Sequence, residues 1–301
     1  MSKSKARDHA VLNGKRLHRA EEAYVYLRSI AVDQAHKFLV RRKRNQKQIS
    51  KDYDQGSWSS ELSAENWKNH STLEDYVDRK WARHKLTATI DGRLWKIDPA
   101  DYYPLRRAKL AEIIGKYVDR NTTLFELGSG AGSIVFELAL AGSFPRIIGL
   151  ELSPTGREVS RAIAAHYDVP NIEFGYIDLL DPASEGYGRL AGQTVYTHYC
   201  LEQLPDKTEE IFRNMLAAGI RRAVLIEPTF ELLGRGSLRD LASRTYVLRQ
   251  DYQRTIVGVA RKLEKQGLLT VVACERLDFV SGHRNAGTLL VFDNTAVASQ
   301  S

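Results

Sequence analysis

LFELGSGAGS, residues 124–133, has the pattern of a strand, a tight turn and the start of a helix. Leu124 to Leu127 is a short apolar run, and three glycines then alternate through residues 128–132. Glycine has no Cβ, so the chain can turn tightly there and a ligand can approach the backbone. An apolar, helix-favouring run continues from Ile134 to Ala141, and the free N–H groups of its first turn would point back at the glycines. The stretch therefore predicts a ligand-binding turn.

The composition is that of an ordinary globular protein. The chain has 301 residues, of which 43% are hydrophobic, enough for one large domain and an accessory region. The sequence has no run of 18 apolar residues and its N-terminus is polar and basic, so we expect neither a membrane span nor a secretory signal. Cys200 and Cys274 are the two cysteines, which gives neither a disulfide framework nor a metal-ligand spacing. A reduced, cytoplasmic protein without a metal is expected.

The net charge of +7 is concentrated in the N-terminal third. Residues 1–105 carry 21 Lys and Arg against 14 Asp and Glu, whereas residues 106–301 carry 23 of each. This excess favours an accessory segment that faces an acidic partner, such as an anionic glycan, a membrane surface or nucleic acid. The alternative is a solvated basic helix. The run Arg41–Arg44 has a structural explanation too, because cations near a helix C-terminus complement the macrodipole.

The N-terminal region is predicted to be a mainly helical cap over residues 1–104. Its pattern predicts a helix over Lys15–Ser50, a loop over Asp52–Ala64, a helix over Asn66–Lys85 and a hairpin over Thr87–Ile97. All the tryptophans of the chain precede the glycine turn: Trp58, Trp67, Trp81 and Trp95. They could line an apolar or sugar-stacking pocket, although large aromatics favour packing of the cap onto the main domain.

Strand and helix patterns alternate regularly through the second region, residues 105–295, which is followed by a tail at 296–301. A helix at Ala108–Tyr117 leads to the first strand. Further strands are predicted at Arg146–Glu151, Asn171–Ile177, Thr194–His198, Arg221–Glu227, Leu268–Phe279 and Gly287–Phe292. Helices are predicted between them at Ser153–Tyr167, Asp206–Ala218 and Leu238–Gln266. Such alternation predicts an α/β, doubly wound, Rossmann-like sheet that binds its ligand at the carboxyl ends of the strands.

The spacing of the glycines excludes two common ligands. A dinucleotide site needs a glycine three residues after Gly130, where this chain has Ser133. A P-loop needs a lysine after the turn, and the sequence has none there. Glu151 ends the next predicted strand, where a carboxylate suits the two hydroxyls of a ribose. An adenosine-bearing ligand is therefore favoured.

In these features, residues 105–293 resemble the class I S-adenosylmethionine-dependent methyltransferases. The acid-x-Gly-x-Gly-x-Gly turn, the acid after the second strand and an Asp after the third occur together and in order. The resemblance implies S-adenosyl-L-methionine as cofactor and a seven-stranded sheet whose last strand is antiparallel. It places Glu151 at the ribose, and it implies further cofactor contacts from Glu126, Gly128, Ser129, Gly130, Gly132, Leu152, Asp178 and Leu179. Tyr103 and Arg106 are candidates for the cofactor carboxylate, which Arg binds well.

The predicted reaction is in-line transfer of the sulfonium methyl, mainly by proximity and orientation. An alcohol acceptor would also need a base. His198 follows the fourth strand, where this family approaches the methyl group, and an imidazole titrates near neutral pH. Glu202 is the second candidate. The alternative is a purely structural role, because a histidine at the end of a strand can simply form hydrogen bonds with the backbone.

The sequence indicates the methyl acceptor less clearly than it indicates the cofactor. Methyltransferases acting on exocyclic base nitrogens or glutamine amides carry Asn/Asp-Pro-Pro-Tyr/Phe after the fourth strand, and this chain differs there. Candidate acceptor contacts are Glu227, His283, Arg284 and Asn285, where the Arg could hold a phosphate or carboxylate. We therefore predict O-methylation of a small hydroxylated molecule or glycan, which could carry a phosphate or carboxylate. The alternatives are an RNA or protein methyltransferase that docks through the basic N-terminus, with nucleic acid less favoured, and an inactive cofactor-binding module.

Overall fold

The computed structural model describes residues 14–39, 44, 46–79, 85–284 and 287–298. Its helices are α1 Arg19–Leu39, α2 Gln46–Asp52, α3 Ser59–Ala64, α4 Leu73–Arg79, α5 Pro99–Gly115, α6 Ser133–Leu140, α7 Pro154–His166, α8 Thr208–Ala217, α9 Leu238–Gln250, α10 Ile256–Lys265 and α11 Thr295–Ala298. Its strands are β1 Gly14–Arg16, β2 Leu86–Ile90, β3 Arg93–Ile97, β4 Thr123–Leu127, β5 Arg146–Glu151, β6 Ile172–Tyr176, β7 Thr194–His198, β8 Arg222–Pro228, β9 Leu269–Arg276, β10 Val280–Ser281 and β11 Gly287–Asn294. A π-helical segment at Tyr53–Trp58 joins α2 to α3, and 3-10 turns lie at Asn66–Asn69, Glu185–Arg189, Leu201–Gln203 and Phe230–Leu232.

Seven strands form the main sheet in the order β6-β5-β4-β7-β8-β11-β9. The first five strands in this order are parallel, and β11 is antiparallel to both of its neighbours. The predicted Rossmann-like α/β class with an antiparallel last strand is confirmed. The order along the chain reverses between β4 and β7, so the glycine turn after β4 lies at the topological switch point, where open α/β sheets bind ligands.

Apolar side chains cover both faces of this sheet, as expected for parallel strands that are buried on two sides. One face packs against α5, α6 and α7, and the 3-10 turn with buried Trp67 adds to that layer. The other face packs against α8 and α10. The predicted strand bounds agree closely because each strand is a short apolar run between polar turns.

The predicted hairpin is confirmed as β2 and β3, with Asp91 and Gly92 at its turn in the left-handed conformation. Together with β1 and β10, it forms a second, antiparallel sheet in the order β1-β3-β2-β10. The accessory region is thus joined to the main domain through Val280–Ser281, which pairs with β2. The division predicted at residues 104 and 105 falls inside α5, and it stays a prediction.

One predicted loop and two predicted helices differ from the structure. The loop predicted over Asp52–Ala64 is wrong, because this segment is helical and packs on α7. Packing against another element outweighs its weak local preference for helix. Of the helix predicted over Lys15–Ser50, the structure describes α1 over Arg19–Leu39 and α2 from Gln46 onward, whereas Gly14–Arg16 is strand β1. The helix predicted over Leu238–Gln266 breaks where Asp251 adopts the left-handed conformation.

The predicted helix over Asn66–Lys85 is described as far as Arg79, where it consists of a 3-10 turn and α4. Trp81 and residues 41–43 of the basic run lie outside the described residues. Within the described part of the chain, no helix combines the length and apolar character needed to cross a membrane.

Candidate functional site

A cavity opens at the carboxyl ends of β4 to β7, and we call it the first cavity. Its space, counted out to solvent, is about 960 Å³. The glycine turn and the strand ends form one side, and the accessory segment 49–58 forms the other. The lining residues are Ile49, Ser50, Tyr53, Asp54, Trp58, Gly128, Gly130, Glu151, Leu152, Ser153, Ile177, Asp178, Leu179, Leu180, Tyr199, Cys200, Gln203 and Leu204.

The three glycines of the turn all have positive φ, but their surroundings differ. A Cβ on Gly128 would lie 2.0 Å from the Sγ atom of Cys200, and one on Gly130 would lie 3.1 Å from the ring of Trp58. Both glycines line the first cavity. Gly132 is the N-cap of α6, and a Cβ there would lie 2.9 Å from two buried phenylalanine rings. Gly132 therefore serves packing beneath the turn.

Glu151 lies at the floor of the first cavity with its side chain fixed by backbone. Its Oε2 accepts a hydrogen bond from the N–H of Gly130 at 2.8 Å, and its Oε1 accepts from the N–H of Ser153 at 2.9 Å. Burial raises the pKa of this carboxyl, and the two backbone hydrogen bonds act against that rise. A carboxylate held in this way presents its remaining lone pairs in a fixed direction.

Asp178 follows β6 and lines the same cavity together with Leu152 and Leu179. Its Oδ1 accepts a hydrogen bond from the N–H of Leu180 at 2.9 Å, which fixes the turn. Leu152 is 42% exposed despite its apolar side chain. The structure thus brings together six of the predicted cofactor residues: Gly128, Gly130, Glu151, Leu152, Asp178 and Leu179.

Glu126 and Ser129 lie behind the cavity wall. Both are buried, and the Glu126 Oε2 and Ser129 Oγ atoms have no hydrogen-bond partner in the described structure. Burial, followed by the nearby carboxylates Glu137 and Glu151, raises the pKa of Glu126 well above its usual value. Buried polar atoms without partners are costly and call for an explanation, such as a bound ligand or water.

The ionisable side chains that line the first cavity in the described structure include carboxyl groups but no basic group. Asp54, Glu151 and Asp178 are carboxylic acids, whereas the lining residues that the structure describes include no Lys, Arg or His. Such a lining disfavours phosphate groups and favours a ligand that brings positive charge and several hydrogen-bond donors. S-adenosylmethionine fits this description. It carries positive charge on its sulfonium and ammonium groups, and its ribose hydroxyls and adenine amino group donate hydrogen bonds.

Arg106 does not reach the first cavity, and its predicted role there is corrected. Its Nε donates to Glu137 Oε2 at 2.9 Å, Nη2 contacts the other oxygen of the same carboxylate, and Nη1 donates to Ser281 at 3.1 Å. The guanidinium also lies 4.9 Å from the ring centroid of Tyr103. Tyr103 is buried and does not line the first cavity. The buried Glu137 on α6 engages the cation instead.

A second cavity lies on the other side of Tyr199, which lines both cavities. Its space, counted out to solvent, is about 700 Å³. Tyr199 has a φ of 55°, a conformation that costs free energy in a non-glycine residue and recurs at functional sites. The lining residues are Tyr102, Arg106, Leu110, Ile113, His198, Tyr199, Ile226, Leu277, Phe279, Val280 and Ser281.

His198 lines the second cavity next to this tyrosine. Burial, followed by the positive charge of Arg106, lowers the pKa of His198 to about 3. The imidazole is therefore neutral at physiological pH. Glu202, the second candidate base, is buried, accepts a hydrogen bond from the Gln203 side chain at 2.8 Å, and lines neither cavity.

Glu227 supports the loop that carries these residues rather than facing either cavity. Its Oε1 accepts from Thr197 Oγ1 at 2.8 Å and from the N–H of Cys200 at 3.0 Å. Its Oε2 accepts from the N–H of Glu202 at 3.3 Å. Burial raises the pKa of Glu227 to about 7, although these hydrogen bonds lower it. Its predicted contact with the acceptor is thus replaced by an anchor for the loop after β7.

His283 and Arg284 lie against α1, away from His198. The His283 Nε2 atom is 2.6 Å from the hydroxyl of Ser29, and Arg284 donates to Asp33 at 2.9 Å. Neither residue lines the two cavities. The prediction that they join one acceptor site is corrected, because α1 covers their loop. Asn285 lies outside the described residues.

The sequence pattern missed the contribution of the accessory segment. Asp54 accepts a hydrogen bond from the Ser153 hydroxyl, which connects the two sides of the first cavity. Tyr53 and Trp58 form an aromatic pair with centroids 5.2 Å apart over the glycine turn. The sequence offers one signal for this contribution, which is a single tryptophan, Trp58, within a polar stretch. Trp67, by contrast, is in the core, as the packing hypothesis for the tryptophans predicts.

No protein-family model matches the chain. A tRNA (guanine-N(7)-)-methyltransferase of Shewanella woodyi is 29% identical over 109 residues, which are 36% of this chain and 44% of that protein. The chain therefore spans under half the length of this curated relative. Among solved structures, magnesium protoporphyrin IX methyltransferase (ChlM) from Synechocystis PCC 6803 with bound SAH is 14% identical with a TM-score of 0.44, covering 64% of this chain and 83% of that one. The [4+2]-cyclase SpnF is 12% identical with a TM-score of 0.48, covering 75% and 97%.

Proposed function

We propose that this protein is an S-adenosylmethionine-dependent methyltransferase whose first cavity holds the cofactor. The observation that carries the proposal is that three carboxylates and the backbone of the glycine turn line one cavity, which lies at the switch point of the sheet. Glu151 would hold the ribose hydroxyls, Asp178 the adenine amino group, and Gly128 and Gly130 the methionine portion. The bound cofactor supplies an electrophilic methyl group on a sulfonium.

The second cavity is the proposed acceptor site, because Tyr199 alone among the lining residues belongs to both cavities. In this proposal a hydroxyl oxygen of a small acceptor attacks the methyl group in line, and the site contributes mainly orientation and exclusion of water. The neutral imidazole of His198 accepts the hydroxyl hydrogen bond. Its low pKa means that any proton it takes is passed on readily, so positioning is the larger part of its contribution.

Turnover of His198 variants tests the role of this residue, while cofactor binding is followed separately. We expect His198→Ala to lose methyl transfer by about 10²-fold or more, and His198→Gln to keep part of it through hydrogen bonding. Both should bind the cofactor as the wild type does. His166→Gln, at the exposed end of α7, is the matched control. Unchanged turnover in both His198 variants would remove the residue from the mechanism.

An RNA acceptor is the second candidate, and the tRNA methyltransferase relative is the observation that favours it. The basic excess of residues 1–105 would then serve as a docking surface. Labelled methyl transfer into fractionated RNA, protein and small-molecule pools separates the candidates. Label in the RNA pool, with binding that weakens steeply as salt rises, would support the second candidate over the first.

A further inference from the structure

Three polar side chains of the second cavity, those of Tyr102, Arg106 and Ser281, are bonded to each other. The hydroxyl of Tyr102 lies 3.0 Å from Ser281 Oγ, and Arg106 donates to the same oxygen at 3.1 Å. Arg106 is also held by the buried carboxylate of Glu137. The one lining cation of the described cavity is therefore already paired, and these side chains carry little net charge for a ligand.

Apart from His198 and Tyr199, the remaining lining is apolar and aromatic. The rings of Tyr102 and Phe279 are stacked, with centroids 5.4 Å apart and planes 9° from parallel. Aliphatic side chains complete the lining: Leu110, Ile113, Ile226, Leu277 and Val280. Flat apolar walls of this kind fit a flat apolar ligand, and an aromatic contact adds to the free energy of burial.

This lining discriminates among acceptor classes. A sugar would bring several hydroxyls against aliphatic side chains, and each buried hydroxyl without a partner costs about 1–3 kcal/mol. A phosphorylated acceptor would find its only lining cation paired with Glu137. A cationic amine would find no carboxylate among the described lining residues. What fits is an apolar ring with one hydroxyl directed toward His198.

We propose that the acceptor is a compact, uncharged aromatic molecule with a hydroxyl group, of the phenol class, rather than a sugar. The ring packs beside Tyr102 and Phe279, and the hydroxyl meets the imidazole of His198. This inference rests on the proposed methyltransferase function for the reaction, whereas the binding of a phenol to the cavity is independent of it.

The reaction balances without a further reactant. A lone pair of the phenol oxygen forms the new O–C bond to the methyl carbon, and the C–S bond breaks with its electron pair returning to sulfur. The hydroxyl proton goes to His198 and from there to water. The products are an aryl methyl ether, S-adenosylhomocysteine and a proton.

Ligand-observed NMR tests the inference with three probes: 4-ethylphenol, 4-ethylcyclohexanol and methyl glucoside. Binding is measured with and without S-adenosylmethionine, and labelled methyl transfer is measured in parallel. We expect the phenol to bind at least tenfold more tightly than the other two probes and to be the methylated one. Phe279→Ala should weaken phenol binding about threefold to tenfold, while Phe279→Leu keeps the apolar volume and separates the loss of the ring from the loss of bulk.

Phe230→Ala is the matched control, because Phe230 packs against Arg244 and lines neither cavity. Tighter binding of methyl glucoside than of the phenol would overturn the inference, as would phenol binding unaffected by either Phe279 variant in folded protein. If the phenol binds through Phe279 but S-adenosylmethionine does not bind, the cavity assignment survives and the proposed function fails. If the cofactor binds and the phenol does not, only the acceptor class fails.

Discussion

Replacing Glu227 by Gln tests how a buried carboxyl group supports the loop between the two cavities. Gln keeps the size of the side chain and one carbonyl oxygen for the contacts with Thr197 and Cys200. Its amide nitrogen replaces the oxygen that accepts from the N–H of Glu202. Loss of that bond should cost about 1–2 kcal/mol at low pH.

The pH dependence follows from the pKa of Glu227, which burial raises from 4.5 to about 7. Because the folded state holds this proton more tightly than the unfolded state, the wild type loses stability as pH rises from about 4.5 through 7. The full effect approaches about 3 kcal/mol, since each pKa unit corresponds to about 1.4 kcal/mol. Between pH 5 and 8 we expect the wild-type advantage over the Gln variant to fall by about 2 to 3 kcal/mol, and the variant to become the more stable protein near pH 8.

Urea unfolding of both proteins at pH 5, 6, 7 and 8, followed by circular dichroism, measures this difference. Subtracting the variant removes the contribution of every other titrating group. Glu158→Gln, on the exposed surface of α7, is the control for replacing a carboxyl by an amide away from the loop. A difference that stays constant with pH, or that grows in favour of the wild type as pH rises, would refute the reasoning about burial.

Two further predictions concern the glycine turn and the accessory segment that faces it. Gly128→Ala should lower the free energy of unfolding by about 3 kcal/mol, because the new Cβ would clash with Cys200 and alanine is strained at positive φ. Gly142→Ala has positive φ but no atom within 4 Å of the new Cβ, so it should lose only about 1–2 kcal/mol. Urea unfolding compares the two variants, and equal losses would contradict the clash. Trp58→Ala should weaken S-adenosylmethionine binding about tenfold in calorimetry, while Trp95→Ala, which lines neither cavity, should leave it unchanged. Equal effects of the two Trp variants would exclude a specific role for the accessory segment.

The sheet, and the gathering of about half of the candidate cofactor residues in one cavity, could be predicted because their signals are local. The strand before Glu151 and the turn after Leu127 are each contained in a few consecutive residues, and both predictions match the structure. Asp178 belongs to the same group, since it directly follows a strand. Parallel strands bring such ends to one edge of the sheet, so adjacency in space follows from the topology alone.

The other half depends on contacts between distant parts of the chain. Asp54 meets Ser153 from 99 residues away, and its own segment has weak helical preference. Arg106 is a predicted contact of the cofactor, but it is paired with the buried carboxylate of Glu137. Arg284 likewise pairs with Asp33 on α1. Which of several opposite charges an arginine engages is decided by tertiary packing, and the sequence pattern carries no signal for it.

Calorimetric titration of S-adenosylmethionine into the wild type and into Glu151→Gln tests the central claim most directly. The wild type should bind one molecule per chain, and loss of the carboxylate at the ribose should weaken binding at least tenfold, with unfolding in urea used to verify that the variant is folded. NADH should not bind, because its phosphates would be repelled by the carboxylates of the first cavity. Absence of S-adenosylmethionine binding to the wild type, or equal affinity in the folded Glu151 variant, would contradict the assignment of the first cavity.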